Sequence, residues 1–206
     1  MSTNTGKKST ATNNVAMYCA PKSAWLASLS LEFSLTLSGS QLTYTKRNGP
    51  LSVQKAFYPE GRDCAHIYLL HPPAGIVSGD ELHITIKVNE QAHTLVTTPG
   101  ANRFYRSRED LSIGDSKQIQ HCNIFIAKQA KCENFPLETI VYEGADGFNT
   151  VDVHLTNDSA YLGWDMTCLG LPRSSQLFKN GHYSQLNRVY CDNTLIYHDR
   201  ISINPT

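Results

Sequence analysis

The sequence predicts a mainly β, antiparallel-rich protein with one or two short helices. Three observations lead to this fold class. Apolar and polar residues alternate with a period of two in several segments, helical periodicity is scarce, and turn-forming residues separate the segments. With 206 residues, 40% apolar and 17% charged, the chain is long enough to bury a core and is unlike a disordered chain or a coiled coil.

The first strand is predicted over Trp25–Leu37, where every second residue is apolar. Such a pattern is typical of a strand with one buried and one solvated face. Gly39 ends it, Gln41–Thr45 predicts a shorter strand, and Asn48-Gly49-Pro50 predicts the turn that follows.

Later segments repeat the alternation. The predicted strands are 66–70, 82–88, 151–155, 184–190 and 194–203, and the last two flank a hairpin connection at Cys191-Asp192-Asn193. Short helices are predicted over Gly100–Arg108 and Asp158–Leu169. Because the last strand signal lies at 201–203, we expect it to leave an open sheet edge.

Residues 1–23 are polar and low in complexity, so we expect a disordered tail before a single domain over 24–206. The tail contains no arginine, which disfavours a mitochondrial leader, and no apolar stretch follows its lysines. The six cysteines are widely and irregularly spaced without C-x-x-C, which predicts reduced thiols in the cytoplasm.

Charge and hydropathy exclude several classes of protein. Eighteen basic residues balance eighteen acidic ones, which disfavours a protein that mainly binds nucleic acid. The apolar runs are too short to span a membrane. No P-loop, dinucleotide-binding fingerprint, nucleophile elbow or H-E-x-x-H motif occurs.

The densest group of chemically active residues lies between Cys64 and Asp80. A strand runs into Pro72-Pro73, which end it, and Gly75 and Gly79 allow a tight reversal. His71 and Asp80 lie at this turn and could hold a metal or a substrate. The alternative is that Asp80 caps the turn and His71 bonds locally.

Two further groups follow. Residues 97–107 contain two arginines next to the aromatic residues Phe104 and Tyr105. This combination suits anion binding, contact with a partner protein, or a loop that an arginine holds in place. Residues 135–140 place Glu138 between apolar neighbours, so we expect it to be partly buried and to need a cation or a hydrogen-bond donor.

Residue chemistry alone leaves other functions open. One is a β-barrel metal-dependent enzyme that uses His66, His71, Asp80 and His83, although the H-x-H pairs typical of such barrels are absent. Another is a β-sandwich ligand-binding module. Since His66 and His71 are five residues apart, a regular strand would place them on opposite faces.

At these groups the chain resembles the UreD (UreH) family of urease accessory proteins. The resemblance covers about residues 25–206 and rests on motifs at 49–51, 53–55, 57–60, 66–73, 75, 79–80, 98–101, 104–107, 136, 138–140, 163–165, 169–170 and 178–181. Ala74 stands where the family usually has glycine, and Phe135 and Leu137 also depart from its pattern. Family members usually continue several tens of residues further, so we expect this chain to be short at its C-terminus.

The resemblance implies an elongated, helically wound or two-layer β fold and a non-enzymatic scaffold. It implies a cytoplasmic protein that, with UreF-like and UreG-like partners, delivers nickel to apo-urease. Nickel would be cargo in transit and no cofactor would be bound permanently.

On this basis the sequence predicts a nickel passage that uses Asp80, Glu138, Glu60 and His71. Transfer favours oxygen and nitrogen ligands of moderate affinity, because tight chelation would trap the ion. Tyr105 and Arg106 are expected to serve shape or partner contact. The same structural role is expected of Pro72, Pro73, Gly75 and Gly79.

Overall fold

The computed structural model describes residues 25–205, and the predicted tail over 1–23 lies outside the described residues. The described part is mainly β, as predicted. Its strands are β1 (Trp25–Thr36), β2 (Gly39–Asn48), β3 (Ser52–Val53), β4 (Ala65–Leu70), β5 (Asp80–Val88), β6 (His93–Thr97), β7 (Asn102–Phe104), β8 (Gln118–Ile126), β9 (Lys131–Phe135), β10 (Thr139–Val141), β11 (Asp146–Leu155), β12 (Ala160–Gly163), β13 (Thr167–Leu169), β14 (His182–Cys191) and β15 (Thr194–Ile203).

The strands form three sheets. The seven-stranded sheet has the order β15-β14-β11-β8-β5-β1-β2, the five-stranded sheet β12-β9-β6-β4-β3, and the three-stranded sheet β13-β10-β7. Three successive stretches of the chain, β5 to β7, β8 to β10 and β11 to β13, each give one strand to each sheet. The chain therefore winds helically around a common interior, as the resemblance implied.

The expectation of mostly antiparallel pairing is wrong. Among the described strands only β1 with β2, β14 with β15 and β3 with β4 pair antiparallel, and the other pairs are parallel. An alternation of apolar and polar residues indicates which face of a strand is buried, but it occurs in both parallel and antiparallel sheets. The chain returns to the seven-stranded sheet at β5 through the five-stranded sheet, and at β8, β11 and β14 through both other sheets. These crossovers make the neighbouring strands parallel.

The two predicted helices are also wrong. Gly100–Arg108 contains β7, and Asp158–Leu169 contains β12 and β13. These short segments form main-chain bonds to neighbouring turns of the winding, which outweighs their weak helical preference. The helices that the described residues do contain are single 3₁₀ turns at Leu111–Ile113 and Pro172–Ser174. In this part of the chain no helix is long and apolar enough to cross a bilayer.

The predicted hairpin is confirmed. β14 and β15 pair up to Cys191 and Thr194, and Asp192 and Asn193 connect them with φ of 48° and 65°. Asp and Asn tolerate this left-handed conformation, which two-residue hairpin turns require. β15 pairs with β14 alone among the described strands, so it forms a sheet edge as predicted.

The core lies inside the winding, and its side chains change from apolar to polar along the strands of the seven-stranded sheet. Leu31, Ile86, Ile124 and Val153 are register partners across four neighbouring strands and are all buried. Towards the beginning of the parallel strands the inward positions become polar, as at Gln118 and Asn149. One end of the interior is therefore an aliphatic core, and the other contains buried polar side chains.

Candidate functional site

The polar end of the interior contains a cavity of about 280 Å³. All three residue groups that the sequence singled out contribute to its wall, through His71 and Ala74, residues 98–103, and Pro136 with Thr139. The inner face of the seven-stranded sheet closes the cavity from the other side. The winding thus brings together residues from Leu51 to Asp165, which are 114 positions apart in the sequence.

A ladder of side-chain amides crosses this wall. The Asn102 amide donates to Gln120 Oε1 at 3.2 Å, Gln120 donates to Asn149 Oδ1 at 3.2 Å, and Asn149 donates to Gln185 Oε1 at 2.8 Å. The Tyr183 hydroxyl donates to the same Gln185 oxygen at 2.9 Å. These bonds fix the amide orientations, so the polar wall is held in place before any ligand arrives.

Asp165 supplies a carboxylate to the cavity wall. The residue as a whole is exposed. The protein atoms around its carboxyl group still desolvate it and raise its pKa, while a hydrogen bond from Asn187 acts in the opposite direction. A desolvated carboxylate that forms no ion pair within residues 25–205 is a favourable place for a passing cation.

His71 supplies an imidazole to the same wall. Its Nδ1 is buried and has no hydrogen-bond partner in the described part of the chain. Burial lowers its pKa, and the nearby Asp80 carboxylate opposes that shift in part. The ring is therefore neutral near pH 7 and retains a nitrogen lone pair that can bind a metal.

Asp80 lies beneath this wall and does not line the cavity. It is 6% exposed, and its Oδ2 accepts a hydrogen bond from the Val77 main-chain N–H at 2.9 Å. It thus caps the turn in the way that the sequence left open as an alternative. Its second effect is electrostatic, since its charge acts on His71.

Glu138 and Glu60 lie outside the cavity. The expectation that Glu138 is partly buried is wrong, because the residue is exposed. It lies in the bend between β9 and β10, where inward and outward positions no longer alternate. Glu60 is exposed in the segment that precedes β4.

The remaining predicted residues shape this end of the molecule. A Cβ atom on Gly75 would lie 2.3 Å from the Tyr105 ring, so glycine is required for that ring to pack against the turn. Gly79 has a φ of 86°, while Pro72 and Pro73 are exposed at the bend. Arg106 is exposed and pairs with Glu109 at 2.7 Å.

The ligand set of the alternative enzyme does not assemble. His66 packs against Phe57 on the outer side of the five-stranded sheet, whereas His71 lines the cavity. His83 lies near Glu81 and His121, and its side chain is 40% exposed. Of the four residues of that hypothesis, His71 and Asp80 lie near each other, whereas His66 and His83 lie on other surfaces.

Sequence reasoning missed the amides and Asp165 as parts of the site. One signal was present, because Asn149 occupies an inward position in the same alternation as Val151 and Val153. A buried amide in an apolar series is unusual, and it needs partners. Asp165 lies between β12 and β13 and gave no such pattern of burial, although it belongs to the motif at 163–165 on which the resemblance rests.

Comparison with known proteins finds consistent relatives. The family described as UreD urease accessory protein matches residues 26–206. The urease accessory protein UreD of Psychromonas ingrahamii is 71% identical over 186 residues, which cover 90% of this chain and 60% of that protein. Those of Marinomonas sp. and Vibrio parahaemolyticus are 44% and 38% identical, over 88% and 89% of this chain and 57% and 63% of theirs. The chain thus spans about 60% of the length of the curated relatives that it matches.

Proposed function

Because the chain belongs to the UreD family of urease accessory proteins, we propose that it is a cytoplasmic, non-catalytic scaffold that passes nickel to apo-urease. The proposal includes UreF-like and UreG-like accessory proteins as partners and nickel as cargo in transit. The family name supports a role in urease maturation, and five free cysteine thiols among the described residues are in keeping with a reducing compartment.

The observation that carries the proposal is the cavity inside the winding, whose mixed wall contains several side chains that can bind a metal. Its donors are amide oxygens, one neutral imidazole, one carboxylate and the Cys122 thiol, which suit a divalent ion of intermediate softness. In the described residues these wall groups are not gathered into a set of three close His, Cys or carboxylate ligands. A wall of this kind favours brief binding and release over storage.

The residues that the sequence predicted have different roles in this proposal. His71 and Asp165 contact the ion in the cavity, and Asp80 holds the turn and adds negative charge beneath His71. Glu138 and Glu60 supply negative charge on the outer surface, which attracts cations towards the protein. Tyr105 and Arg106 contribute shape and partner contact.

Nickel loading of urease tests the cavity assignment. Urease would be produced together with its accessory proteins, and the nickel content per urease active site would be measured. This chain would carry one substitution at a time, with equal amounts of folded chain in each experiment: Asp165→Asn, His71→Ala, Asp80→Asn or Glu138→Ala. We expect the first two variants to reduce loading most. Asp80→Asn keeps an oxygen that can accept from Val77, so it separates loss of charge from loss of the turn.

Glu90→Gln is the matched control, because Glu90 is an exposed carboxylate on the turn after β5 and away from the cavity lining. It should leave nickel loading unchanged. Undiminished loading with both Asp165→Asn and His71→Ala would rule out the passage through this cavity.

Partner binding tests the scaffold role separately. Co-production with UreF-like and UreG-like proteins, followed by affinity capture of this chain, should recover a stable complex. A chain that remains monomeric and ignores both partners, or that turns over a substrate by itself, would contradict the scaffold role.

A further inference from the structure

A second group of metal-binding side chains lies outside the cavity, on the outer face of the five-stranded sheet. The register pairs Ala65 with Thr94 and Thr94 with Cys132, and these three residues are buried. The residues one position away, Cys64, His93 and Glu133, therefore face outward from neighbouring strands. The sheet brings them side by side although they are up to 69 residues apart in sequence.

Their donor atoms are close together. The Cys64 Sγ, a ring nitrogen of His93 and a carboxylate oxygen of Glu133 all lie within 4.8 Å of one another. His93 Nε2 is 2.8 Å from Glu133 Oε1. Tetrahedral zinc ligands stand roughly 3.5 Å apart, given metal–ligand distances of about 2.0–2.3 Å. Side-chain adjustments of about 1 Å would complete such a geometry.

The segment that carries Cys64 is held firmly against the sheet. Phe57 and His66 exchange two main-chain hydrogen bonds of 3.0 Å, and the Phe57 ring stacks on Tyr68. Ser40 holds the first residue of β6 in place, because its hydroxyl accepts a hydrogen bond from the His93 main-chain N–H at 2.9 Å. The ligands are thus positioned by main-chain pairing, which reduces the entropy that ion binding would cost.

The local charge favours a cation. Cys64 is 5% exposed but lies outside the contiguous apolar core cluster. Burial raises the pKa of its thiol to about 12, and the negative charges of Glu133 and Glu60 add to that shift. An anionic thiolate is disfavoured there, whereas a bound divalent metal would neutralise the carboxylates and displace the thiol proton.

We infer that Cys64, His93 and Glu133 form a binding site for a divalent transition metal of borderline softness, such as Zn²⁺, Co²⁺ or Ni²⁺. A sulfur, a nitrogen and an oxygen donor suit these ions and exclude Mg²⁺ and Ca²⁺, which prefer oxygen alone. Three protein ligands leave a fourth position for water or for Glu60. The site does not rest on the proposed nickel passage, because it lies on the opposite face of the sheet.

Cobalt binding tests this inference. The full chain would be titrated with Co²⁺ under reducing conditions, and thiolate-to-cobalt charge-transfer absorption would be followed. We expect one ion per chain and a band that disappears in Cys64→Ser. His93→Ala and Glu133→Gln should weaken binding by more than about tenfold, the loss that even outer-shell partners of metal ligands produce.

Cys191→Ser is the control, because Cys191 is a partly exposed free thiol on the seven-stranded sheet. It should retain the band at full intensity, and circular dichroism should show that every variant is folded. A second measurement follows hydrogen exchange in residues 57–66, which Zn²⁺ should slow in the parent chain. No charge-transfer band in the folded parent chain, or a band that persists in Cys64→Ser, would overturn the site.

Discussion

Arg188 binds the carboxylate of Asp152 through two hydrogen bonds, from Nε to Oδ1 at 2.6 Å and from Nη2 to Oδ2 at 2.7 Å. The two residues are register partners on β14 and β11. His121 Nε2 approaches the same carboxylate at 2.9 Å from β8. One carboxylate that is 5% exposed therefore links three parallel strands through their side chains.

Arg188→Leu should destabilise the protein because it leaves Asp152 buried with only His121 as partner. Loss of one partner of a buried charged hydrogen bond costs about 1–3 kcal/mol. Urea denaturation followed by circular dichroism would measure the free energy of unfolding. Arg106→Leu is the control, since its pair with Glu109 is exposed and should contribute less than about 1 kcal/mol. Equal losses in the two variants would contradict this role for Asp152.

Asp152 also predicts a pH dependence of stability. Burial alone would raise its pKa, but the hydrogen bonds from Arg188 and His121 outweigh burial and hold the pKa below the ordinary value. The stabilisation is therefore present above the unfolded-state pKa of about 3.9 and is lost as the pH falls through the lower folded-state pKa. The stability difference between the parent chain and Asp152→Asn should shrink as the pH falls below the unfolded-state pKa of about 3.9. A difference that grows as the pH falls from about 4 to 2 would refute this assignment.

The fold was predictable from sequence where burial alternates along a strand. β1, β5 and the β14–β15 hairpin follow directly from apolar residues at every second position and from Asp192-Asn193. Strand direction was not predictable in this way, because it depends on how the chain returns to a sheet. The short strands β7 and β12 have little alternation of their own and owe their conformation to pairing with other turns.

The candidate site was predictable only in part. Prolines and glycines marked the segments that form one cavity wall, because these residues are common where the chain bends. The opposite wall consists of inward side chains in the middle of strands, such as Gln120 and Asn149, and its position depends on the register. Glu138 shows the same limit, because its apolar neighbours suggested burial but a bend between sheets exposes it.

Gly39→Ala should be far more destabilising than Gly61→Ala. Both glycines have φ near 100°, so both substitutions share the cost of an unfavourable backbone conformation, about 1–2 kcal/mol. A Cβ on Gly39 would also lie 2.1 Å from the Arg62 carbonyl oxygen, whereas nothing lies within 4 Å of one on Gly61. The clash involves main chain and should add about 1–3 kcal/mol. Thermal unfolding of the two variants measures the difference, and equal melting temperatures would contradict the close approach.

The amide ladder should behave as a coupled unit. Asn149→Ala removes the acceptor of the Gln120 amide and one of the two donors to Gln185 Oε1, which still accepts from Tyr183. The two lost hydrogen bonds should cost about 1–3 kcal/mol. Because Asn149→Ala already removes the hydrogen bond to Gln185, adding Gln185→Ala to that variant should lower the free energy of unfolding by less than Gln185→Ala does in the parent chain. The double-mutant cycle should therefore give a coupling free energy of at least about 0.5 kcal/mol, measured by urea denaturation.

Leu31→Ala supplies the independent reference for this cycle. Leu31 is fully buried in the aliphatic part of the core and forms no bond to the amides, so its effect should add to that of Asn149→Ala. Additivity in both cycles would mean that the amides act separately. The polar end of the interior would then be a set of individual hydrogen bonds, and it would lack the rigidity that a preformed passage for an ion requires.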